Sequence, residues 1–253
     1  MLSPTNKECL LSPPPALSDK PRLRYTLRMV ADTLGESISL LRDLVRHDDA
    51  TAIANQHIQH FWKRIMTSSH TRLCAVGREH VDRTQSYVYM SNHQSLMDIP
   101  ALFGAVPQPL RMVSKKQLFR IPFFGKAMLK AGFIPIDRTN REKAILQLET
   151  AKERLKQGLS VWIAPEGTRS RTLELGPFKK GGFHIAMDLQ IPIVPVWIDG
   201  SARVIYPDSS KVHPNQEITV YFGKPISPAL FANDLTSLMA AVRNELLILS
   251  QSI

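Results

Sequence analysis

At 253 residues, 43% hydrophobic and 21% charged, the chain is long enough for one α/β domain with a sizeable core. No run approaches the roughly 18 apolar residues of a membrane-spanning helix, and Leu10-Leu11, broken by Pro13-Pro14-Pro15, is no secretory signal. The net charge is +10, and the whole excess lies in residues 111–181, which hold 16 Lys+Arg against 6 Asp+Glu. This favours anionic ligands, and no helix-turn-helix, zinc-finger or aromatic RNA-binding signature accompanies it to suggest nucleic acid.

Residues 1–20 read as a flexible tail. Over 22–46, Leu23, Leu27, Val30, Leu34, Ile38, Leu41 and Val45 recur at three- and four-residue steps, which predicts an amphipathic helix. Arg22, Arg24 and Arg28 cluster at its start. Asp48, Asp49 or Thr51 can cap a second helix with Ile53, His57, Ile58, Phe61 and Ile65 on one side. Residues 21–68 thus form a two-helix amphipathic segment ahead of a domain over 69–253. In that domain, strands are expected at 73–77, 86–90, 111–114 and 133–136. Thr139 and Glu142 make a capping box for a helix ending near Gly158. A buried-type strand at 160–163, a helix at 181–189, strands at 193–198 and 217–222 and a helix at 234–249 follow. The alternation predicts an α/β fold, a central mixed sheet flanked by helices. Cys9 and Cys74 are far apart and lack metal spacing, which points to a reduced compartment.

Two polar runs carry the chemistry. The first is Asn92-His93-Gln94-Ser95-Leu96-Met97-Asp98. Residues five apart on a helix are rotated by roughly 140°, so His93 and Asp98 cannot share a helical face. They can meet if His93 lies in a loop and Asp98 in the first turn of the following helix. Ser95 is a suitable N-cap there, and Pro100 is tolerated in a first turn. Asp98 would then hold one imidazole nitrogen and leave the other to take a proton, the orienter and base of a triad without its Ser. Ser95 as nucleophile lacks a Gly-x-Ser-x-Gly elbow. The second run, Pro165-Glu166-Gly167-Thr168-Arg169-Ser170-Arg171, follows a strand. Gly167 there lets backbone amides approach an anion. A base and an anion clamp without a protein nucleophile imply that the nucleophile arrives on the substrate. The bland readings are a satisfied loop histidine and an ordinary polar turn. His93, Asp98 and Glu166 have no companion His or Cys at ligand spacing, so no metal is expected in the reaction.

The first run resembles the first motif of the glycerolipid acyltransferases, in particular the 1-acyl-glycerol-3-phosphate acyltransferases. Gly132-Phe133-Ile134-Pro135-Ile136-Asp137-Arg138 is similar to their second motif, Pro165 to Ser170 to their third, and Ile191-Pro192-Ile193-Val194-Pro195-Val196 to their fourth. The four stand in the family's order over about residues 73 to 226. Ala164 departs from the aromatic residue that many relatives carry there.

The resemblance implies acyl transfer from acyl-CoA or acyl-carrier protein to the free hydroxyl of a lysophosphatidic acid, giving phosphatidic acid. His93 would be the base and Asp98 its orienter. Arg138 and the loop of Glu166, Gly167, Thr168 and Arg169 would hold the phosphate. Arg138 can grip it with two hydrogen bonds or else be an exposed charge paired with Asp137. Glu166 would orient Arg169 or accept a bond from the glycerol hydroxyl, and Pro195 would shape the core near an acyl chain. No cofactor is implied. The expected placement is peripheral, on the cytoplasmic face of an anionic membrane, with the two-helix segment on its surface. The rivals are an acyltransferase for another lysolipid, such as a lyso-ornithine lipid or lysophospholipid, and a non-catalytic lipid-binding relative.

Overall fold

The computed structural model describes residues 7–16, 18, 20–47, 49–137 and 141–251. Its described residues form one mixed sheet of eight strands: β1 (Glu8–Leu11), β2 (Arg72–Val76), β3 (Val88–Ser91), β4 (Leu110–Lys115), β5 (Ile134–Ile136), β6 (Ser160–Ile163), β7 (Ile193–Asp199) and β8 (Glu217–Phe222). The spatial order is β1-β2-β8-β7-β3-β6-β4-β5. The run from β7 to β5 is parallel, and so is the β2–β8 pair. The β1–β2 and β7–β8 pairs are antiparallel.

Helices cover both faces: α1 (Leu23–Arg46), α2 (Ala50–Ser68), α3 (Asp98–Ala105), α4 (Phe124–Lys130), α5 (Arg141–Lys156), α6 (Gly181–Leu189), α7 (Ser201–Val204) and α8 (Leu235–Ser250). Successive strand residues point to opposite faces. Tyr89 therefore enters the core beneath α2 and α3, with Leu102, Phe103 and Phe222. Its neighbours Val88 and Met90 enter the core beneath α6 and α8, with Phe183 and Leu246. A strand buried on both sides reads as a continuous apolar run, which is why β3, β6 and β7 were legible. Gly104 brings α3 close to the sheet: a Cβ there would lie 2.5 Å from a Leu73 methyl and 2.9 Å from the Trp62 ring.

Two expectations about the N-terminus are corrected. Residues 8–11 of the expected tail are a strand at the sheet edge. In that pairing Cys9 faces Cys74 directly, and the two sulfurs form a disulfide rather than staying reduced. The pairing depends on a register 65 residues away in sequence. Asp49 caps α2, accepting from the amides of Thr51 (3.1 Å) and Ala52 (2.9 Å). The expected capping residue Thr139 lies outside the described residues, as does Arg138.

The apolar stripe of α1 packs little. Tyr25, Glu36, Ser37 and Leu40 are its buried residues. Leu23, Leu27, Val30 and Ile38 are each at least half exposed.

Candidate active site

The site forms beyond the carboxyl ends of β3 and β6, where open α/β sheets bind ligands. At the end of β3, the Asn92 amide nitrogen donates to the Ile198 carbonyl (2.9 Å) and its oxygen accepts the Ile198 N–H (2.8 Å). This pair extends the β3–β7 ladder one residue past the strand and fixes where the next residue sits.

That residue is His93. Its Nδ1 lies 2.7 Å from Asp98 Oδ2, and the same oxygen accepts the backbone N–H of Gln94 (2.7 Å) and Ser95 (2.9 Å). Asp98 opens α3, so the loop-then-first-turn arrangement derived from the five-residue spacing is the one observed. A carboxylate only accepts, so Nδ1 carries the proton toward Asp98 and Nε2 is left as the base. The Asp98 side chain is 1% exposed and that of His93 15%. The Trp162 ring meets the imidazole edge-on at 5.5 Å and anchors its own Nε1 on Ser91 Oγ (3.0 Å). His93 is thus fenced by Asp98 and Trp162, with an opening to solvent.

Ser95 is not the N-cap; Met97 occupies that position. The Ser95 hydroxyl accepts the Met97 N–H (3.2 Å) and donates to the Ile205 carbonyl (2.8 Å). It pins the turn and is fully buried.

The Pro165–Arg171 loop is tied to the His93 loop at two points. Ser170 N donates to the His93 carbonyl (2.7 Å), and the His93 N–H donates to Glu166 Oε1 (3.2 Å). Glu166 Oε2 accepts the Gly176 N–H (2.9 Å). Burial raises the Glu166 pKa, opposed by the Gly176 and His93 amides. Both oxygens being held by backbone donors, Glu166 joins two loops and does not orient Arg169. Gly167 has φ +73° and lies under Lys179, whose Cγ would be 3.3 Å from an added Cβ. Thr168 is exposed and Arg169 half-buried, and no salt bridge between described residues engages Arg169. Asp137, beside Arg138, bonds Lys116, and its N–H donates to Gln147 Oε1 (2.6 Å).

The loop's far end is held by Arg243 on α8, which donates to the carbonyls of Gly176 (2.7 Å) and Leu175 (2.8 Å) and covers the Phe178 ring at 5.2 Å. Neither Arg243 nor Asn92 was assigned a role from the sequence. Their partners lie 67 and 106 residues away; no local pattern marks Arg243, and the first polar run contains Asn92 without revealing its partner.

An apolar cavity of about 420 Å³, within the range of small-molecule sites, is lined by residues on either side of Asp98 in sequence, though by neither His93 nor Asp98 itself. Leu96 and Met97 of the first motif and Ile99 and Pro100 just after it line the cavity, together with Met29 of α1 and Phe61 of α2. Pro195, expected to shape the core near an acyl chain, is a core residue but does not line this cavity. It lies buried in β7 opposite Met90, and its carbonyl accepts the Gly223 N–H (2.9 Å).

Glu166→Gln tests the loop junction. An amide offers one acceptor oxygen, so one of the His93 and Gly176 N–H groups would face an NH2 group. Leaving a buried donor unsatisfied costs about 1–3 kcal/mol. The expected result is a lower melting temperature and faster hydrogen exchange at the His93 and Gly176 amides. Unchanged exchange at both would refute the role.

A family model described as Acyltransferase matches residues 72–199. A 1-acyl-sn-glycerol-3-phosphate acyltransferase of Escherichia coli (strain K12) is 36% identical over 155 residues, covering 61% of this chain and 62% of that protein. The chloroplastic BAT2 enzyme of the same description from Brassica napus is 38% identical over 139 residues, 55% of this chain and 40% of that protein. The human alpha form is 33% identical over 173 residues, 68% and 61% of the two chains. The chain thus spans between 40% and 62% of the length of these curated relatives. The crystal structure of the 1-acyl-sn-glycerophosphate (LPA) acyltransferase PlsC from Thermotoga maritima shares the fold, with a TM-score of 0.77 at 24% identity over 90% of this chain and 93% of that one.

Proposed function

The chain belongs to the acyltransferase family, and from that premise we propose that it acylates the free hydroxyl of 1-acyl-glycerol-3-phosphate, using acyl-CoA or acyl-carrier protein as donor and giving phosphatidic acid. The observation that carries this is the His93–Asp98 contact of 2.7 Å, which leaves Nε2 as a base; the residues flanking Asp98 on both sides line an apolar cavity. The names of the relatives support the choice of acceptor.

The substrate hydroxyl oxygen attacks the thioester carbonyl while Nε2 of His93 takes its proton. Asp98 stabilises the imidazolium that forms. As the tetrahedral intermediate collapses, the C–S bond breaks and the imidazolium returns the proton to the departing thiolate. The products are an ester and a free thiol, with His93 neutral again. Arg138 and Arg169 would hold the acceptor's phosphate. Turnover of a lysolipid panel with both donors tests the reading. Fastest acylation of 1-acyl-glycerol-3-phosphate is expected. Preference for lyso-ornithine lipid or another lysophospholipid would reassign the acceptor, and no turnover of any would leave only a lipid-binding role.

No helix among the described residues is long and apolar enough to cross a membrane. The reading therefore includes peripheral attachment through α1, supported by its exposed stripe and by Arg22, Arg24 and Arg28 at its start. Serine at Leu27, Val30 and Ile38 together removes about 1 kcal/mol per side chain, allowing for partial insertion. Partition onto anionic vesicles should fall roughly a hundredfold. Unchanged co-sedimentation of the folded triple variant would exclude α1 as the anchor.

A further inference from the structure

A second cluster of metal-ligating side chains lies between α1 and α2, apart from the dyad. Glu36 of α1 and His57 of α2 are buried, and His60 stands three residues further along α2. His57 Nδ1 is 2.5 Å from Glu36 Oε1, and His60 Nδ1 is 3.9 Å from the same oxygen. One ligand atom from each lies within 4.8 Å of the others. We propose that Glu36, His57 and His60 form a site for a divalent transition metal of the zinc type that fastens α1 to α2.

The donor set selects the ion class. Two imidazoles and one carboxylate suit zinc, cobalt or nickel, whereas calcium and magnesium take oxygen ligands. The geometry is near that of a tetrahedral site. Metal–ligand bonds of about 2.0–2.2 Å place the ligand atoms roughly 3.3 Å apart. The observed 2.5 and 3.9 Å straddle that value and the His57–His60 separation is within 4.8 Å, so side-chain adjustment alone can close the set around an ion.

An independent observation comes from the other face of His57. Its Nε2 lies 3.1 Å from Asp43 Oδ2. A ligating histidine characteristically donates its second ring N–H to a carboxylate, which fixes the ring and raises its basicity. Both nitrogens of His57 thus face carboxylate oxygens, and carboxylates only accept. A neutral imidazole has one N–H and cannot satisfy both. A metal ion at Nδ1 removes the conflict, and so would a second ring proton, which is the competing account.

The surroundings leave the ligand oxygen available. Arg64 reaches Glu36 through Oε2 (3.3 Å), and Arg42 reaches Asp43 through Oδ1 (2.8 Å). Oε1 is left for the ion, though the two guanidiniums will moderate its affinity. The cluster borders a polar cleft of about 480 Å³, and the His60 side chain is 53% exposed. An ion can enter there, with water filling the fourth position. Glu36 and His57 also line the apolar cavity, so the fastening would act on a wall of that cavity.

The test uses the full-length chain freed of metal with a chelator. Titration with Zn²⁺ should give one bound ion per chain and a higher melting temperature. Co²⁺ should give visible absorption bands of a tetrahedral site. His60→Ala, at an exposed position the fold tolerates, should abolish the cobalt bands and weaken Zn²⁺ binding by well over tenfold. Asp43→Asn should weaken it about 10–100-fold, the usual effect of losing such a supporting carboxylate. His184→Ala, on the exposed side of α6, should change nothing. A chain that binds no Zn²⁺, or a His60→Ala variant that binds as well as wild type, overturns the proposal in favour of a doubly protonated His57.

Discussion

Arg169→Ala is expected to weaken use of the phosphate-bearing acceptor by roughly 2 kcal/mol, about thirtyfold in kcat/KM, while the KM for the acyl donor changes much less. Arg169 is half-buried on a loop whose neighbour Ser170 bonds the His93 carbonyl at 2.7 Å. A phosphate gripped there would sit at a fixed distance from the base. No described carboxylate pairs with Arg169, so its charge is uncommitted until substrate arrives. Arg138→Ala should behave alike. Arg169→Lys should recover part of the loss, because the charge remains while the two-pronged geometry is gone. Normal acceptor kinetics in both folded alanine variants would show that the phosphate binds elsewhere.

What the sequence revealed follows from the range of the interactions involved. β6, β8 and α6 were legible because each is a continuous local pattern: Val161-Trp162-Ile163 is apolar throughout, since both faces of the sheet are covered. The His93–Asp98 pairing was legible because five residues and a helix start fix its geometry. The Cys9–Cys74 disulfide was misread, because only the antiparallel register of β1 on β2 brings the sulfurs together. Glu166 was misread as pairing with Arg169 for a similar reason. Its charge suggested a partner among the cations, whereas the fold turns both oxygens toward backbone amides. Pro195 was expected to shape the core near an acyl chain; it is a core residue of β7, and its place there is settled by neighbours on β3 and β8 that no spacing rule supplies. The Glu36–His57–His60 cluster was invisible for the same cause, as its members come from two helices whose packing sets the distances.

The largest effect is expected at the dyad. His93→Ala removes the base, so the acyl-transfer step should fall by at least the roughly 10²–10⁴-fold typical of general-base catalysis. Asp98→Asn preserves size but replaces three accepted hydrogen bonds with an amide that can also donate. Oδ2 now receives His93 Nδ1 and two loop amides. The variant should misorient the ring, favour the wrong tautomer and forfeit stabilisation of the imidazolium. The double variant should be little slower than His93→Ala alone, since residues acting as one unit are non-additive. Ser95→Ala supplies the contrast. Its hydroxyl is buried and committed to Met97 and Ile205, so the change should cost about 1 kcal/mol of stability and leave most of the rate. Single-turnover kinetics with a labelled acyl donor read all four variants. A trapped acyl ester on Ser95, or full activity in His93→Ala, would mean that the attacking oxygen belongs to the protein and that the direct transfer described here is wrong.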